Sequence, residues 1–347
     1  MFERMKTFTL KYAETYSKNE DEKKIYIIHE NSKWVEPLIK ELEDLQLPYE
    51  EWYINQLSLD LSDIPPDGVF YNRMSASSHT RNHRYAVEMT GPIMAWLESH
   101  GRKVINNRRA LQLEVRKFEQ YLALQSLGLY TPRTIAATGG IELLKAATDI
   151  GSSPFIFKPN RGGKGTGVQL FSSVNSFKEA LESGTLIHSL DGIDLVQQYI
   201  EPKEPYITRT EFIGGKFHYA VRVDTSAGFE LCPADACQIG DAFCPTDSAD
   251  QKKSSKPRFE IIEHYSNPDL ATYERFLKEN GMEVAAIEYI ESIDGKRYLY
   301  DVNINTNYNT EAESKISSSK RGMRTIAEYL GHKLSDLTVQ FSKVKAV

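Results

Sequence analysis

Phe155-Ile-Phe-Lys158-Pro-Asn-Arg-Gly162-Gly163-Lys164-Gly165-Thr166-Gly167-Val168 is the stretch that decides the reading of this chain. A short apolar run ends in a lysine, and glycines crowd a turn before the next apolar run, a pattern that predicts strand, flexible loop, strand. Glycine lets the main chain approach closely enough to set backbone N–H groups on phosphate oxygens. Lys158 would then lie beneath the loop as a fixed cation. The stretch is not a Walker A loop, because Lys164 is followed by Gly165 rather than Ser or Thr. Its G-G-x-G-x-G spacing also differs from the dinucleotide fingerprint G-x-G-x-x-G. The plainer alternative is a tight hairpin with a surface lysine.

Working outward toward the N-terminus, residues 24–28 and 69–71 and the pair Val104-Ile105 read as strands, with helices expected over 34–45 and 85–97. This alternation predicts an α/β domain spanning 1–106. Leu111, Val115, Phe118 and Leu122 recur at spacings of four, three and four, which predicts one helix over 109–127. Strands over 133–137, 154–158 and 167–171, with helices near 141–147 and 177–181, make a smaller central unit, 107–200. From Leu195 onward strands follow one another, over 195–199, 206–213, 216–223, 285–290 and 297–303, and Gly214-Gly215 marks a hairpin. The third unit is 201–347, with a long polar loop or lid at 225–258. The fold class expected is therefore α/β, grading into α+β in the C-terminal part.

The chain has 347 residues, room for two to three domains with cores of their own. At 40% hydrophobic and 26% charged residues it lies far from the composition of disordered chains. Forty-eight acidic against 42 basic residues leave a formal charge of −6, with no basic excess for a long phosphate backbone, which argues against a DNA partner. Three cysteines, Cys232, Cys237 and Cys244, cannot close an all-paired disulfide framework, and their spacing lacks the CxxC pairs of a zinc site. Reduced cysteines fit the cytosol. The first residues lack the apolar core of a signal peptide, and no 18 apolar residues run together. The expectation is a cytoplasmic protein with no membrane partner.

Toward the C-terminus, Glu283-Val-Ala-Ala-Ile-Glu288 is followed, after Asp294-Gly295, by Tyr298-Leu-Tyr-Asp301-Val-Asn303-Ile-Asn305. On adjacent antiparallel strands joined at Asp-Gly, Glu288 and Asp301 can lie opposite one another, with Asp301 and Asn303 on one face. Facing carboxylates repel unless a cation sits between them, and oxygen ligands suit Mg²⁺ carrying nucleotide phosphates. Acids simply facing water are the alternative. His79 and His83 stand at i, i+4, yet no HExxH context supports a shared metal. The polar stretch from Arg73 to Arg81 reads as a loop after a strand, and the run Lys252, Lys253, Lys256 and Arg258 as a solvated face.

In order along the chain, Lys117, the strand lysine Lys158 before its glycine-rich loop, the segment Val196-Gln-Gln-Tyr199-Ile200-Glu201, and the set Glu288, Asp301 and Asn303 resemble the ATP-grasp superfamily. Within it the likeness is to RimK-type and glutathione-synthetase-like carboxylate–amine ligases, over roughly residues 67–325. The resemblance implies an N-terminal pre-ATP-grasp domain, a small central lid subdomain and a C-terminal antiparallel-sheet subdomain. It implies that Lys117 and Lys158 contact the nucleotide, that Gly162, Gly163, Lys164, Gly165, Thr166 and Gly167 cover the phosphates, and that Gln198, Tyr199 and Ile200 form a hinge reading adenine. Glu201, with Glu204 as rival, would hold the ribose, and Glu288, Asp301 and Asn303 would hold Mg²⁺, with Mn²⁺ as a substitute. The Glu288 to Asp301 interval is about one residue longer than usual, which a longer Asp-Gly hairpin would absorb.

Arg209 and Arg222 match positions that hold the transferred phosphate or acyl phosphate, a task for which the planar guanidinium fork is suited. Arg73 and Ser75 fall where relatives face the acceptor. Asn305 and Asn307 stand in place of a Ser-Pro-Gly turn, as candidates for substrate contact. The activity implied is ATP-dependent amide formation through an acyl phosphate, with ATP and Mg²⁺, a carboxylate and an amine. An amino acid such as glutamate, a small molecule, a peptide or a protein terminus would fit as substrates, and the likeness favours a homodimer or homotetramer. An ATP-grasp kinase acting on a hydroxyl is the first alternative; a non-catalytic nucleotide-binding module is the second.

Overall fold

The computed structural model describes residues 23–163, 165–225 and 258–344, with side chains described to 337. Lys164, the three cysteines, Lys252, Lys253, Lys256 and all of the expected 225–258 loop but its end residues lie outside the described residues.

Strands β1 (Lys24–His29), β2 (Tyr49–Tyr53), β3 (Gly68–Asn72) and β4 (Lys103–Ile105) form a parallel sheet in the order β2-β1-β3-β4. Strand β2 escapes the sequence reading because Tyr-Glu-Glu-Trp-Tyr carries no apolar run. Helix α1 (Ser32–Asp44) and the C-terminal helix Gly322–Val344 cover one face; α2 (Ala86–Ser99) and α3 (Arg108–Val115) cover the other. Strand β3, Gly-Val-Phe-Tyr-Asn, is buried throughout, as a parallel strand under helices on both faces must be.

The single helix expected over 109–127 is two. Arg116 (φ −131°, ψ 86°) separates α3 from α4 (Lys117–Gln125). Asn160 docks at the break: its Oδ1 accepts the Phe118 N–H at 2.9 Å and its carbonyl accepts the Lys117 N–H at 3.2 Å. A distant residue thus satisfies the first donors of α4, which no local periodicity can report. Leu111 and Val115 pack with the N-terminal sheet and Phe118 with the C-terminal one, while Leu122 is 53% exposed.

The central sheet is antiparallel, with β5 (Thr134–Ala137), β6 (Phe155–Pro159), β7 (Gln169–Phe171) and β8 (Asp194–Gln198) in the order β5-β8-β6-β7. Phe155, Phe157 and Val196 pack beneath α5 (Gly140–Asp149) and α6 (Val174–Glu182). Alternation along β6 turns Ile156 and Lys158 the other way, into a cleft.

Facing it is a five-stranded antiparallel sheet of β9 (Tyr206–Ile213), β10 (Lys216–Asp224), β11 (Phe259–Ile261), β12 (Val284–Glu291) and β13 (Arg297–Asn303), ordered β11-β10-β9-β12-β13. Gly214 and Gly215, at φ +64° and +70°, supply the left-handed pair that a tight hairpin turn needs. Helices α3, α4 and α7 (Leu270–Glu279) pack on one face of this sheet through Leu113, Tyr121, Phe276, Ala285 and Ile287. The opposite face looks into the cleft.

Two bulges set which residues reach that face. His218 is the unpaired residue between Phe217 and Tyr219 of β10, and Tyr300 the one between Leu299 and Asp301 of β13. The extra residue in the Glu288 to Asp301 interval is therefore absorbed at Tyr300 rather than in the Asp294-Gly295 turn.

Candidate active site

The cleft between the central and C-terminal sheets has a volume of about 280 Å³. On the hinge side it is lined by Ile156, Gln198, Tyr199, Ile200, Ile207 and Ile290, a largely apolar slot at the strand connection. Toward the N-terminal sheet it is lined by Trp34, Ser75, Ser77, Glu114, Asn305 and Asn307. Lys117, Lys158, Arg209, Glu288, Asp301 and Asn303 stand between. Glu201 and Glu204, expected near a ribose, are exposed and do not line the cleft; Pro202 does.

Lys158 is buried at the end of β6, its ammonium 5.1 Å from the centre of the Tyr121 ring, with no ion-pair partner within 4 Å among the described residues. Gly162, Gly163, Gly165 and Thr166 line the cleft above it. Gly167 has φ +77°, and a Cβ there would stand 2.9 Å from Pro159 Cγ, so only glycine fits. Ahead of the loop, Arg161 is paired with Glu88 of α2, which ties the loop's start to the N-terminal unit.

Glu288 and Asp301 are register partners, and Asn303 lies on the same face, its amide 3.5 Å from Glu288 Oε1. The carboxylates are held by cations and hydrogen bonds: Lys117 pairs with Asp301, Arg209 Nη1 donates to Glu288 Oε1 at 2.6 Å, and Tyr300 donates to Glu288 Oε2 at 2.9 Å. Burial raises the Glu288 carboxyl, Arg209 opposes the rise and Asp301 adds to it. Burial works against the Asp301 carboxylate as well, yet Lys117 holds it below the usual range. For Lys117, burial lowers the ammonium and Asp301 more than reverses this. Among the described residues no three His, Cys, Asp or Glu side chains form a metal cluster. The set here is two carboxylates and an amide oxygen, hard ligands now neutralised by Lys117 and Arg209, and this donor chemistry fits Mg²⁺.

The structure brings Arg209 to the cleft and not Arg222. A hairpin without a bulge would put Arg222 opposite Ile207, on the cleft face; the extra residue at His218 pairs it with Thr208 and turns it away. There it is 44% exposed, 3.8 Å from Glu260 and stacked over Tyr206. Arg209 is buried, donating to Glu211 Oε1 at 2.5 Å as well as to Glu288.

Arg73 also stands behind the cleft rather than in it. Only 1% exposed, it donates to Asn305 Oδ1 (3.0 Å), the Thr306 carbonyl (2.9 Å) and Asn307 Oδ1 (3.0 Å), and so fixes the segment whose two asparagines line the cleft. The stretch 73–78 is buried. His79 and His83 share no site: the residues between them form a 3-10 turn (Ser78–Arg81), and His83 Nδ1 lies 2.8 Å from Glu30.

Several residues in or behind the cleft carry no sequence signal. Glu114, on α3, accepts the Ile304 N–H at 2.8 Å, and burial pushes its carboxyl up to about 7. Gln120 of α4 clasps both the N–H and the carbonyl of Val302, fixing β13 between Asp301 and Asn303. Trp34 and Ser77 come from the N-terminal unit, brought in only by tertiary packing.

No protein-family model matches the sequence, and neither does any curated protein. Solved structures do match. The ATP-grasp ligase PsnB in complex with a minimal precursor superposes with a TM-score of 0.61 at 15% identity, covering 89% of this chain and 98% of that one. PsnB has also been solved with its minimal precursor, Mg and ADP. The RimK-domain ATP-grasp protein of Sphaerobacter thermophilus gives 0.59 at 16% identity, covering 88% and 98%. D-alanyl-alanine synthetase A of Vibrio cholerae gives 0.61 at 14% identity, covering 90% and 99%. The chain has the ATP-grasp fold.

Proposed function

We propose that this protein is an ATP-dependent carboxylate–amine ligase of RimK-like type. The observation that carries the reading is the convergence in one cleft of a buried cation beneath a glycine-rich loop, Lys158, and the oxygen set Glu288, Asp301 and Asn303 on the facing sheet. ATP would place its base in the slot at Gln198 to Ile200 and its phosphates between Lys158, Lys117 and the loop that Lys164 belongs to. The fold likeness to PsnB, solved with Mg and ADP, supports the same nucleotide and metal here. Glu288, Asp301 and Asn303 would hold Mg²⁺, which supplies charge neutralisation to the phosphates when bound.

A carboxylate oxygen of the first substrate attacks the γ-phosphorus of ATP, and ADP leaves. The amine nitrogen then attacks the acyl carbon, phosphate leaves with its electron pair, and the amine loses a proton. Such a reaction needs positioning and charge neutralisation rather than a side-chain nucleophile. Arg209, bonded to Glu288 in the cleft, would be the guanidinium that holds the transferred group. Ser75, Ser77, Asn305 and Asn307 offer hydroxyls and amides to the carboxylate-bearing or amine substrate. Amino acids such as glutamate, small acids and peptides are the candidates; PsnB was solved with a precursor peptide, and a RiPP-associated ATP-grasp ligase with a leader and core peptide.

The test is phosphate release from Mg-ATP across a matrix of amino acids, acidic metabolites and peptides, with mass spectrometry of active mixtures. A product lighter by one water than its two substrates together is the expected result. A product heavier by one phosphoryl group would replace the ligase with a kinase.

A further inference from the structure

Among the described residues three carboxyl groups line the cleft, and two are already answered by cations, Glu288 by Arg209 and Asp301 by Lys117. The third, Glu114 of α3, has no ion-pair partner within 4 Å among the described residues, since the nearby Lys117 is committed to Asp301. It stands on the wall toward the N-terminal sheet, whose other residues, Trp34, Ser75, Ser77, Asn305 and Asn307, carry no charge. Its place is fixed by backbone. The Ile304 N–H, directly after Asn303, donates to its Oε2 at 2.8 Å, and the Ala76 N–H also favours its ionised form.

A buried carboxylate without a counter-ion is costly, and a cationic group docked against it removes the cost. ATP and the carboxylate substrate bring only negative charge to the cleft. The remaining reactant is the amine, which at neutral pH is largely an ammonium. An ammonium has no lone pair and cannot attack until it gives up a proton. Lys117, Lys158 and Arg209 cannot take that proton, and Glu288 and Asp301 are held by their cations.

We propose, building on the ligase reading, that Glu114 receives the ammonium of the amine substrate and takes one proton from it, which frees the nitrogen for attack. The proton passes from nitrogen to a carboxylate oxygen of Glu114. Nitrogen then bonds to the acyl carbon, the bond from that carbon to the phosphate oxygen breaks with its electron pair, and a second nitrogen proton leaves with the phosphate as hydrogen phosphate. Glu114 returns its proton to water as the amide departs. Burial, which pushes the Glu114 carboxyl up to about 7, has the opposite effect on an ammonium beside it, so the two draw together in proton affinity; Asp301 adds to the rise and Lys117 opposes it.

Hydroxylamine separates this step from the phosphorylation before it, because at neutral pH it is largely uncharged and attacks an acyl phosphate without a base. The whole protein, with Mg-ATP and a carboxylate that supports turnover, is given either hydroxylamine or the amine found in the same screen. Hydroxamate is read by its iron colour and amide by mass spectrometry. Glu114→Gln, whose amide oxygen can still accept the Ile304 N–H, should lower amide formation about 10²-fold, the scale of a lost general base, and hydroxamate formation less than about threefold. If that variant does not fold, Glu114→Asp, which withdraws the carboxylate by one methylene, should show the same split. Equal losses with both nucleophiles would mean that Glu114 only holds the Ile304 segment, and full amide formation by the variant would mean that it takes no proton; either overturns the proposal and leaves the ligase reading standing. No hydroxamate from the unaltered protein would overturn the ligase reading and the proposal with it.

Discussion

Strand pairs β9/β10 and β12/β13 each contain one extra residue, with opposite consequences for the cleft. In the first pair His218 falls between the Gly214-Gly215 turn and Arg222, and the shifted register removes Arg222 from the cleft face. In the second, Tyr300 falls between the turn and Asp301. Without it Asp301 would pair with Ile287, whose side chain packs among the helices; with it Asp301 pairs with Glu288, and Asn303 follows onto the same face. One bulge takes a cation out of the site and the other delivers the two carboxylates and the amide of Glu288, Asp301 and Asn303. In a sheet, a single inserted residue decides which chemistry is present, because the side-chain period is two.

The strongest way to break this contrast is to remove what the second bulge delivers. Asp301→Ala, and Lys158→Ala across the cleft, should each lower ATP turnover at least about 10³-fold, measured as phosphate release, because each strips charge stabilisation from the phosphates. Wild-type turnover by the Asp301 variant would remove the metal assignment. Arg209→Ala should lose about 10²-fold in kcat, the scale of one lost charge-stabilising donor.

His29 on β1 lies far from both bulges in sequence and separates stability from chemistry. Burial, with Arg73 adding to it, lowers its imidazole to about 4; Glu51 Oε2 is 3.1 Å away but out of line for a hydrogen bond. Above pH 6.5 the ring is neutral in both folded and unfolded chains. As pH falls from 6.5 toward 4 the unfolded chain takes up the proton first, so stability is lost over that window, up to about 3 kcal/mol. Burial raises Glu114 and Glu211 to about 7, which acts in the opposite sense as pH rises from 4.5 to 7. The difference between wild type and His29→Gln in urea unfolding at pH 7 and pH 4 therefore isolates the histidine, and an unchanged difference would refute its burial in the neutral form.

Arg73→Lys keeps the charge and loses the fork on Asn305 and Asn307. It should raise KM for the carboxylate or amine about tenfold while leaving KM for ATP within about twofold, on the scale of one or two charged hydrogen bonds. Smallest is Arg222→Ala, within about threefold of wild type in kcat, as suits an exposed ion pair. A loss matching that of Arg209→Ala would mean that the register at His218 differs in the working enzyme.

The fold was legible wherever apolar periodicity is local: β1, β3, β6, β9, β12 and β13 lie where the sequence places strands. The glycine-rich loop was legible because glycine's freedom is local too. What escaped depends on distant partners. Asn160 breaks the helix at Arg116, His218 turns Arg222 outward, and Arg73 is drawn behind the asparagine segment by three long-range hydrogen bonds. Trp34, Ser77 and Glu114 enter the cleft only through packing between units and have no motif of their own.

Isotope transfer tests the central claim most directly. With a carboxylate substrate found in the turnover screen and labelled with ¹⁸O in its carboxyl group, an acyl phosphate pathway carries one labelled oxygen into each phosphate released, because the carboxyl oxygen that attacked the γ-phosphorus departs with it. One ¹⁸O per phosphate is the predicted result. Unlabelled phosphate alongside amide product would contradict the account.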